Sequence, residues 1–354
     1  MERTSPRRRA AIGRAAAGAL FAAALSGCSI NAAAATPATP AAAPAAPATT
    51  AALLTEPGEI APIYRAIAAA RTSVDMTMYE LEDPTAERAL AAAAQRGVKV
   101  RVLLDGGYAA AENAAATAYL LAHGVEVRSA PSYFALTHEK TLTIDRRRSL
   151  VMTLNLTARY YANTRDFAVW DSRAADVAEI EAVFDADWSG RHVVPTAGAG
   201  DLLWSPGAEG ALLALIARGH TSVTVENEEM ADQPVVAALC RAARRGARVH
   251  VVMSVPVGMT YASEWTGALR TLARCGAKVH LFHGERPLYI HAKVIVVDGA
   301  RAYVGSQNFS YTSLARNREL GLITADAPIA GSLAATVEGD YRRANATATR
   351  RSPP

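Results

Sequence analysis

The chain of 354 residues is 51% hydrophobic, so it is long and apolar enough to form two domains of ordinary size. Its formal net charge is +4, but residues 1–27 carry five arginines and one glutamate, which account for that whole excess. The remainder is neutral overall, so bulk charge gives no reason to expect a nucleic-acid partner.

Residues 1–27 have the layout of an export signal. Basic residues up to Arg14 precede an apolar run from Ala15 to Leu25, which is too short to span a bilayer as a helix. The Leu-Ser-Gly-Cys that ends at Cys28 resembles the lipobox of bacterial lipoproteins, whose cysteine is lipidated after cleavage. We therefore expect an exported protein that is anchored to the cell envelope through Cys28. An ordinary secretory signal followed by release is the alternative.

Residues 28–50 are dominated by alanine, proline and threonine, which cannot bury a core, and we interpret them as a tether. The folded part begins near Leu53 and repeats itself, because Leu-Leu-x-x-Pro-Gly at Leu53–Gly58 returns at Leu202–Gly207. Each copy leads into the same series of helices and strands. The predicted elements are, in chain order, helix Glu59–Ala70, strand Ser73–Tyr79, helix Pro84–Arg96, strands Val98–Leu104 and Val125–Arg128, then helix Glu209–Ala217, strand Ser222–Asn227, helix Pro234–Arg245, and strands Ala247–Val252 and Lys278–Phe282.

The alternation of helices and strands predicts an α/β fold with mixed or parallel sheets covered by helices. We expect two duplicated α-β-α sandwich domains related by a pseudo-two-fold axis. The first would cover residues 51–196 and the second residues 197–345, with a disordered tail over residues 346–354. Such an axis would let matching faces of the two halves meet at one interface.

Each half also contains a strand, a tight turn and a second strand that carry the same polar groups. His138, Lys140, Asp145, Thr153 and Asn155 in the first half match His291, Lys293, Asp298, Ser306 and Asn308 in the second, at a constant offset of 153 positions. Residues two apart on a strand share a face, so each histidine is expected beside its lysine.

Two His-x-Lys-x4-Asp motifs, each followed by a hydroxyl residue and an asparagine, resemble the phospholipase D superfamily. The resemblance extends from Leu53 to about Thr324. The first motif departs from it, because Met152 and Thr153 stand where Gly-Ser is usual. The resemblance also implies a downstream acid that hydrogen-bonds each histidine. Asp166 follows His138 by 28 positions, and Glu319 follows His291 by the same spacing.

Two histidines at one phosphodiester can divide the chemistry. One, neutral, attacks phosphorus, while the other, protonated, donates its proton to the leaving alkoxide. The lysines and asparagines would stabilise the phosphate oxygens without a metal ion or other cofactor, and Thr153 and Ser306 would support them. The residues alone leave the order of the two histidines open. The resemblance implies that His138 attacks and that His291 is the acid.

Asp145 and Asp298 lie five positions after the lysines, on the opposite face of an extended strand. A structural role at the turn is therefore favoured over catalysis. Cys240 and Cys275 can form a disulfide in an oxidising compartment or remain two buried helix cysteines, and both readings stay open.

The leading functional prediction is a phospholipase D-type phosphodiesterase, acting as a monomer at a membrane surface. It would hydrolyse or transphosphatidylate phospholipid head groups. One alternative is a nuclease of the same superfamily, for which the basic clusters at residues 146–148 and 241–245 would bind the nucleic acid. A second is a phosphatidyltransferase such as cardiolipin synthase, ranked lower because those proteins usually carry membrane-spanning segments and none is predicted. A third is a non-catalytic envelope-binding module.

Overall fold

The protein is described by a computed structural model over residues 52–195, 200–255, 262–283 and 287–351. The predicted signal, Cys28 and the tether lie outside the described residues. The first half contains, in chain order, β1 (Ala52–Glu56), α1 (Ala61–Ala68), β2 (Ser73–Met78), β3 (Leu81–Glu82), α2 (Pro84–Gln95), β4 (Lys99–Leu104), α3 (Ala114–Ala122), β5 (Glu126–Ser129), β6 (Thr141–Ile144), β7 (Arg148–Met152), β8 (Leu156–Thr157), β9 (Thr164–Asp171) and α4 (Ala174–Trp188).

The second half repeats this plan with small changes. It contains β10 (Leu202–Ser205), α5 (Glu209–Ala217), β11 (Ser222–Asn227), α6 (Gln233–Arg244), β12 (Arg248–Val255), α7 (Ala262–Arg274), β13 (Lys278–His283), β14 (Tyr289–Ile290), β15 (Lys293–Val297), β16 (Arg301–Gly305), α8 (Tyr311–Ala315), β17 (Glu319–Thr324) and α9 (Ala327–Arg351).

Each half forms one large mixed sheet, and the two strand orders correspond strand for strand. The first sheet runs β1-β9-β7-β6-β2-β4-β5, and the second runs β10-β17-β16-β15-β11-β12-β13. In each sheet the last three strands are parallel and the other neighbours are antiparallel. The predicted α/β duplication is therefore confirmed.

Local sequence explains where the corresponding helices α2 and α6 begin and end. The side chain of Asp83 accepts hydrogen bonds from two backbone N–H groups at the start of α2, and Asp232 does the same for one N–H of α6. Both helices have proline in their first turn, where its missing N–H costs nothing. Both are followed by a glycine with positive φ, Gly97 at 88° and Gly246 at 97°, as the sequence predicts.

The core is divided into three apolar clusters. One lies within each half, between a sheet and its own helices. The third contains side chains of both sheets, among them Val151 and Val169 of the first sheet and Val294 and Val304 of the second. The two sheets therefore pack against each other through this third cluster. The two halves therefore belong to one compact unit.

The predicted boundary between residues 196 and 197 falls between α4 and β10, where residues 196–199 lie outside the described part. Residues 346–351 of the predicted disordered tail belong to helix α9, which ends at Arg351, and residues 352–354 lie outside the described residues. None of the helices in the described ranges combines the length and apolarity that a bilayer crossing requires.

Candidate active site

Short parallel strand pairs bring the two histidines to the same place, because each lies on a segment that pairs with the opposite half. Tyr289 and Ile290 of β14 pair with β9, and the backbone N–H of His291 donates to the carbonyl of Arg165 at 3.2 Å. In the first half, the N–H of His138 donates to the carbonyl of Arg318 at 2.9 Å. Each histidine is therefore fixed next to the strand that carries the acid of the other half.

The histidine–carboxylate pairs consequently cross between the halves. His138 Nδ1 lies 3.0 Å from Glu319 Oε2, and His291 Nδ1 lies 2.8 Å from Asp166 Oδ1. The sequence suggested pairing within each half, and that pairing is wrong because β9 and β17 carry their acids across the interface. A carboxylate at Nδ1 holds the proton on that nitrogen and leaves Nε2 for chemistry.

The two carboxylates are themselves buried and hydrogen-bonded. Asp166 accepts from Thr153 Oγ1 at 2.5 Å, whereas Glu319 accepts from Ser313 Oγ at 2.6 Å and Asn317 Nδ2 at 2.8 Å. Burial raises the pKa of Glu319 to about 7, and its hydrogen bonds oppose that shift. Ser306 Oγ accepts from the backbone N–H of Leu320, next to Glu319, at 3.2 Å. Thr153 and Ser306 thus lie against the acid-bearing strands.

Both lysines are completely buried, and each curls back onto its own motif. Lys140 Nζ donates to the carbonyl of His138 at 2.7 Å, and Lys293 Nζ donates to the carbonyl of His291 at 2.5 Å. Burial and the charge of Lys293 together lower the pKa of Lys140 to about 7. The two ammonium groups are therefore close enough to repel each other across the interface between the halves.

His138 has an environment that favours its neutral form. Burial lowers its pKa well below the usual value, and the charges of Lys140 and Lys293 act in the same direction. The ring of Tyr79 packs against the imidazole edge-to-face, with ring centroids 4.9 Å apart. A neutral imidazole with its proton on Nδ1 presents the Nε2 lone pair, which is what a nucleophile requires.

The asparagines complete the cluster, and each lies beside a glutamate. Asn155 Nδ2 is 3.5 Å from Glu80 Oε2, and Asn308 Nδ2 is 3.5 Å from Glu228 Oε2. The site therefore contains two imidazoles, two lysines and two amides, one of each from either half. In the described residues, no group of three or more histidine, cysteine or acidic side chains is arranged to hold a metal ion.

Comparison with known proteins identifies the family of the chain. The family model described as "Cardiolipin synthase, PLD-like domain" matches residues 63–188 and 212–341, one segment in each half. The chain belongs to this phospholipase D-like family. It is also 26% identical to cardiolipin synthase A of Klebsiella pneumoniae, over 82% of this chain and 68% of that protein. Cardiolipin synthase A of Pseudomonas aeruginosa is 29% identical, over 58% of this chain and 46% of that protein.

Solved structures with the same fold have different activities in their names. Phosphatidylserine synthase of Haemophilus influenzae superposes with a TM-score of 0.63 at 16% identity, over 83% of this chain and 86% of that one. Polyphosphate kinase of Porphyromonas gingivalis gives a TM-score of 0.62 at 16% identity, over 82% of this chain and half of that one. At such low identity these likenesses show the fold alone.

One residue of this phospholipase D-like site was missed from the sequence. Glu228 Oε2 lies 2.9 Å from Lys293 Nζ and 3.6 Å from His291 Nε2. Glu228 stands six residues after the start of β11, and Tyr79 stands six residues after the start of β2. Aligning the two repeats would have revealed this difference, because every other polar group of the cluster has a counterpart.

Asp145 and Asp298 lie at the far ends of their strands from the histidines and lysines and cap the sheet edge, as expected for turn residues. Asp298 accepts hydrogen bonds from three consecutive backbone N–H groups at residues 220–222, and Asp145 does so from residues 71–73. Both have positive φ, 54° for Asp145 and 53° for Asp298, which aspartate tolerates better than most residues. The donors lower the pKa of each aspartate, although burial opposes this effect.

Two buried arginines link the halves behind the histidines. Arg165 Nε pairs with Asp340 of α9 at 2.6 Å, and Arg318 Nε pairs with Asp187 of α4 at 2.8 Å. Each arginine immediately precedes a histidine-bound acid, so the ion pair fixes the strand that presents the carboxylate. These pairs cross between the halves in the same way as the histidine–carboxylate pairs.

Proposed function

We propose that the protein is a phosphatidyltransferase of the cardiolipin synthase type, which exchanges the alcohol of a phospholipid phosphodiester through a phosphohistidine. The observation that carries the proposal is the pair of imidazoles whose Nδ1 atoms are held by carboxylates, with a lysine and an asparagine beside each. The family match over both halves supports a phospholipid as the substrate.

In the first step, Nε2 of His138 attacks phosphorus and the bond from phosphorus to the leaving alcohol breaks. The alkoxide takes the proton from Nε2 of His291, so a neutral alcohol departs. Lys140 and Lys293 stabilise the negative charge on the phosphate oxygens in the transition state. Glu319 stabilises the positive charge that develops on His138 as the N–P bond forms.

In the second step, an incoming alcohol loses its proton to His291 and attacks phosphorus, and the N–P bond breaks. Water can replace the alcohol, which would give hydrolysis and phosphatidic acid. The relatives are named as synthases, so transfer has stronger support than the hydrolysis ranked first from the sequence. The lysines leave no step that requires a metal ion.

The test is a partition experiment with phosphatidylglycerol vesicles and purified protein, with products quantified by mass spectrometry. We expect cardiolipin and free glycerol to form faster than phosphatidic acid. Added deuterated glycerol should enter the lipid by exchange. Phosphatidic acid as the sole product would contradict transfer and support hydrolysis.

The same experiment includes His138→Ala and His291→Ala, with His123→Ala as a matched histidine control outside both motifs. Both motif variants should lose activity by about 10²-fold or more, whereas the control should retain it. A peptide containing His138 that carries the phosphatidyl group on its imidazole, trapped by acid-free quenching, would support the order of the two histidines. The phosphatidyl group on His291 instead would reverse it.

We further propose that the mature protein is exported and lipid-anchored through Cys28. The Cys240–Cys275 disulfide supports this location, because such bonds persist in oxidising compartments and are rare in the cytosol. Cell fractionation of wild type and Cys28→Ser tests the anchor. The variant should move from the membrane fraction to the soluble fraction, and an unchanged distribution would contradict lipidation at Cys28.

A further inference from the structure

Glu228 occupies the position where a substrate phosphate oxygen is expected. Its Oε2 lies 2.9 Å from Lys293 Nζ, 3.5 Å from Asn308 Nδ2 and 3.6 Å from His291 Nε2. These are the three groups of the second half that the proposed mechanism assigns to the phosphodiester. A carboxylate oxygen therefore already receives the contacts that a phosphate oxygen would need.

The carboxylate is fully engaged within the protein. Its second oxygen, Oε1, accepts a hydrogen bond from the hydroxyl of Tyr289 at 3.1 Å. Lys293 and His291 keep the pKa of Glu228 well below its usual value despite burial, so the group is an anion. Since neither oxygen is free, Glu228 is poorly placed to recognise a head group and well placed to compete with one.

Among the described residues, no carboxylate forms an ion pair with the lysine of the first half. Tyr79 takes the position that corresponds to Glu228, and Lys140 Nζ lies 5.1 Å from the centre of its ring. The nearby Glu80 pairs with Arg159 at 2.7 Å, so its charge is already matched. The direct contact between a carboxylate and the motif lysine is therefore made in the half that contains His291.

We propose that Glu228 is a specificity-determining residue that occupies the phosphate site and makes it select singly charged phosphodiesters over doubly charged phosphomonoesters and free phosphate. The proposal rests on the proposed function, because it takes the two lysines as the phosphate-binding groups. A diester with one negative charge can share Lys293 with Glu228 or displace it. A second negative charge must approach the carboxylate itself, and that like-charge contact is unfavourable.

The experiment is calorimetric titration of the full chain with inorganic phosphate at pH 8 and, separately, with dimethyl phosphate. The variants are Glu228→Gln and the matched control Glu229→Gln, which removes the same charge one residue away. We expect Glu228→Gln to tighten phosphate binding by about tenfold or more and dimethyl phosphate binding by less than about threefold, where tenfold corresponds to about 1.4 kcal/mol. Glu229→Gln should bind both ligands like the wild type.

Equal phosphate affinity in wild type and Glu228→Gln, including no measurable binding in either, would overturn the proposal. The proposal would also be overturned if Glu228→Gln strengthened the binding of inorganic phosphate and of dimethyl phosphate equally. Glu228 would then block the site without distinguishing the two ligands. Glu228→Ser, which also removes the charge, replaces the glutamine variant if thermal unfolding shows that the latter does not fold. Binding requires no turnover, so failure of the transfer assay and failure of this discrimination are separate results.

Discussion

The half-sites around His138 and His291 contain the same imidazole, lysine and asparagine, yet the residues around these groups differ. Lys293 is paired with Glu228, whereas Lys140 faces the ring of Tyr79 and has a pKa lowered to about 7 by burial. The Nε2 atom of His291 lies 3.6 Å from the carboxylate of Glu228, whereas burial lowers the pKa of His138. A duplicated site can therefore assign different roles to identical residues by changing one neighbour in each copy.

The largest difference between the two half-sites is expected when each histidine is replaced and the substrate has a leaving group that needs no protonation. We expect His138→Ala to lose on the order of 10⁴-fold or more in activity with any phosphodiester, because the nucleophile is gone. His291→Ala should lose about 10²–10⁴-fold with an alkyl leaving group. With a p-nitrophenyl phosphodiester it should still release one equivalent of nitrophenolate, because that leaving group departs unprotonated.

Rapid-quench measurement of the nitrophenolate burst decides between the two histidines. A burst in His291→Ala and none in His138→Ala supports the division of labour. The reverse pattern would assign the attack to His291. Absence of a burst in both variants would show that the roles cannot be separated in this way.

The next largest effect is expected from the crossed arginines. Arg318→Ala removes the arginine that pairs with buried Asp187, whereas Arg165→Ala leaves Asp340 paired with Arg343. Removing one member of a buried ion pair costs about 3–5 kcal/mol of unfolding free energy. Chemical denaturation should show a loss of this size for Arg318→Ala and a smaller loss for Arg165→Ala, because Arg343 still neutralises Asp340.

Arg248→Ala is the control for the arginine variants, because Arg248 is exposed and lies 3.9 Å from Glu338 at the surface. Exposed ion pairs contribute about 0–1 kcal/mol, so this variant should unfold almost like the wild type. If Arg165→Ala and Arg318→Ala lost equally little unfolding free energy, these buried ion pairs would not hold the two halves together.

Many of the helices and strands that carry the two half-sites were predictable from the sequence. The predicted helix Glu209–Ala217 and strand Ser222–Asn227 coincide with α5 and β11, because helix-period apolar residues, β-branched runs and glycine stops all act locally. Helices α4 and α9 were not predicted, although they supply Asp187 and Asp340. Their contribution depends on packing against the opposite half, which the local pattern does not contain.

The crossed pairing of histidines and acids was not predictable for a related reason. Asp166 and Glu319 have the same spacing from the histidine of their own half, so the sequence cannot distinguish pairing within a half from pairing between halves. The β14–β9 contact, which settles the matter, joins residues more than a hundred positions apart. Glu228 differs, because alignment of the repeats would have marked it opposite Tyr79.

A smaller effect is expected from the turn aspartates, for which the two halves are equivalent. Asp145→Ala and Asp298→Ala each remove the acceptor of three backbone N–H groups. Hydrogen bonds to charged groups contribute about 1.5–3 kcal/mol, and these sites are partly exposed, so we expect a loss of about 1–3 kcal/mol per variant in denaturation experiments. The asparagine variants, which keep an acceptor oxygen, should lose less.

These aspartate variants also separate structure from catalysis. Activity per folded molecule should remain within about threefold of the wild type, because neither aspartate contacts the phosphate-binding groups. A much larger loss of activity in a stably folded variant would place Asp145 or Asp298 in the reaction.

The smallest expected effect is the pH dependence of KM that the lowered pKa of Lys140 causes. An ordinary lysine keeps its proton up to about pH 10.4, but Lys140 has a pKa of about 7, so it loses its positive charge as the pH rises through 7. The KM for a phosphodiester should therefore rise by about tenfold between pH 6 and pH 8, since each pH unit above a pKa removes a further tenfold of the charged form.

Lys140→Arg keeps its charge throughout this range and should show a flatter KM profile. The difference between the two profiles isolates Lys140 from Glu319, whose pKa burial also raises to about 7. Identical profiles would mean that Lys140 remains charged and that the two lysines are electrostatically equivalent.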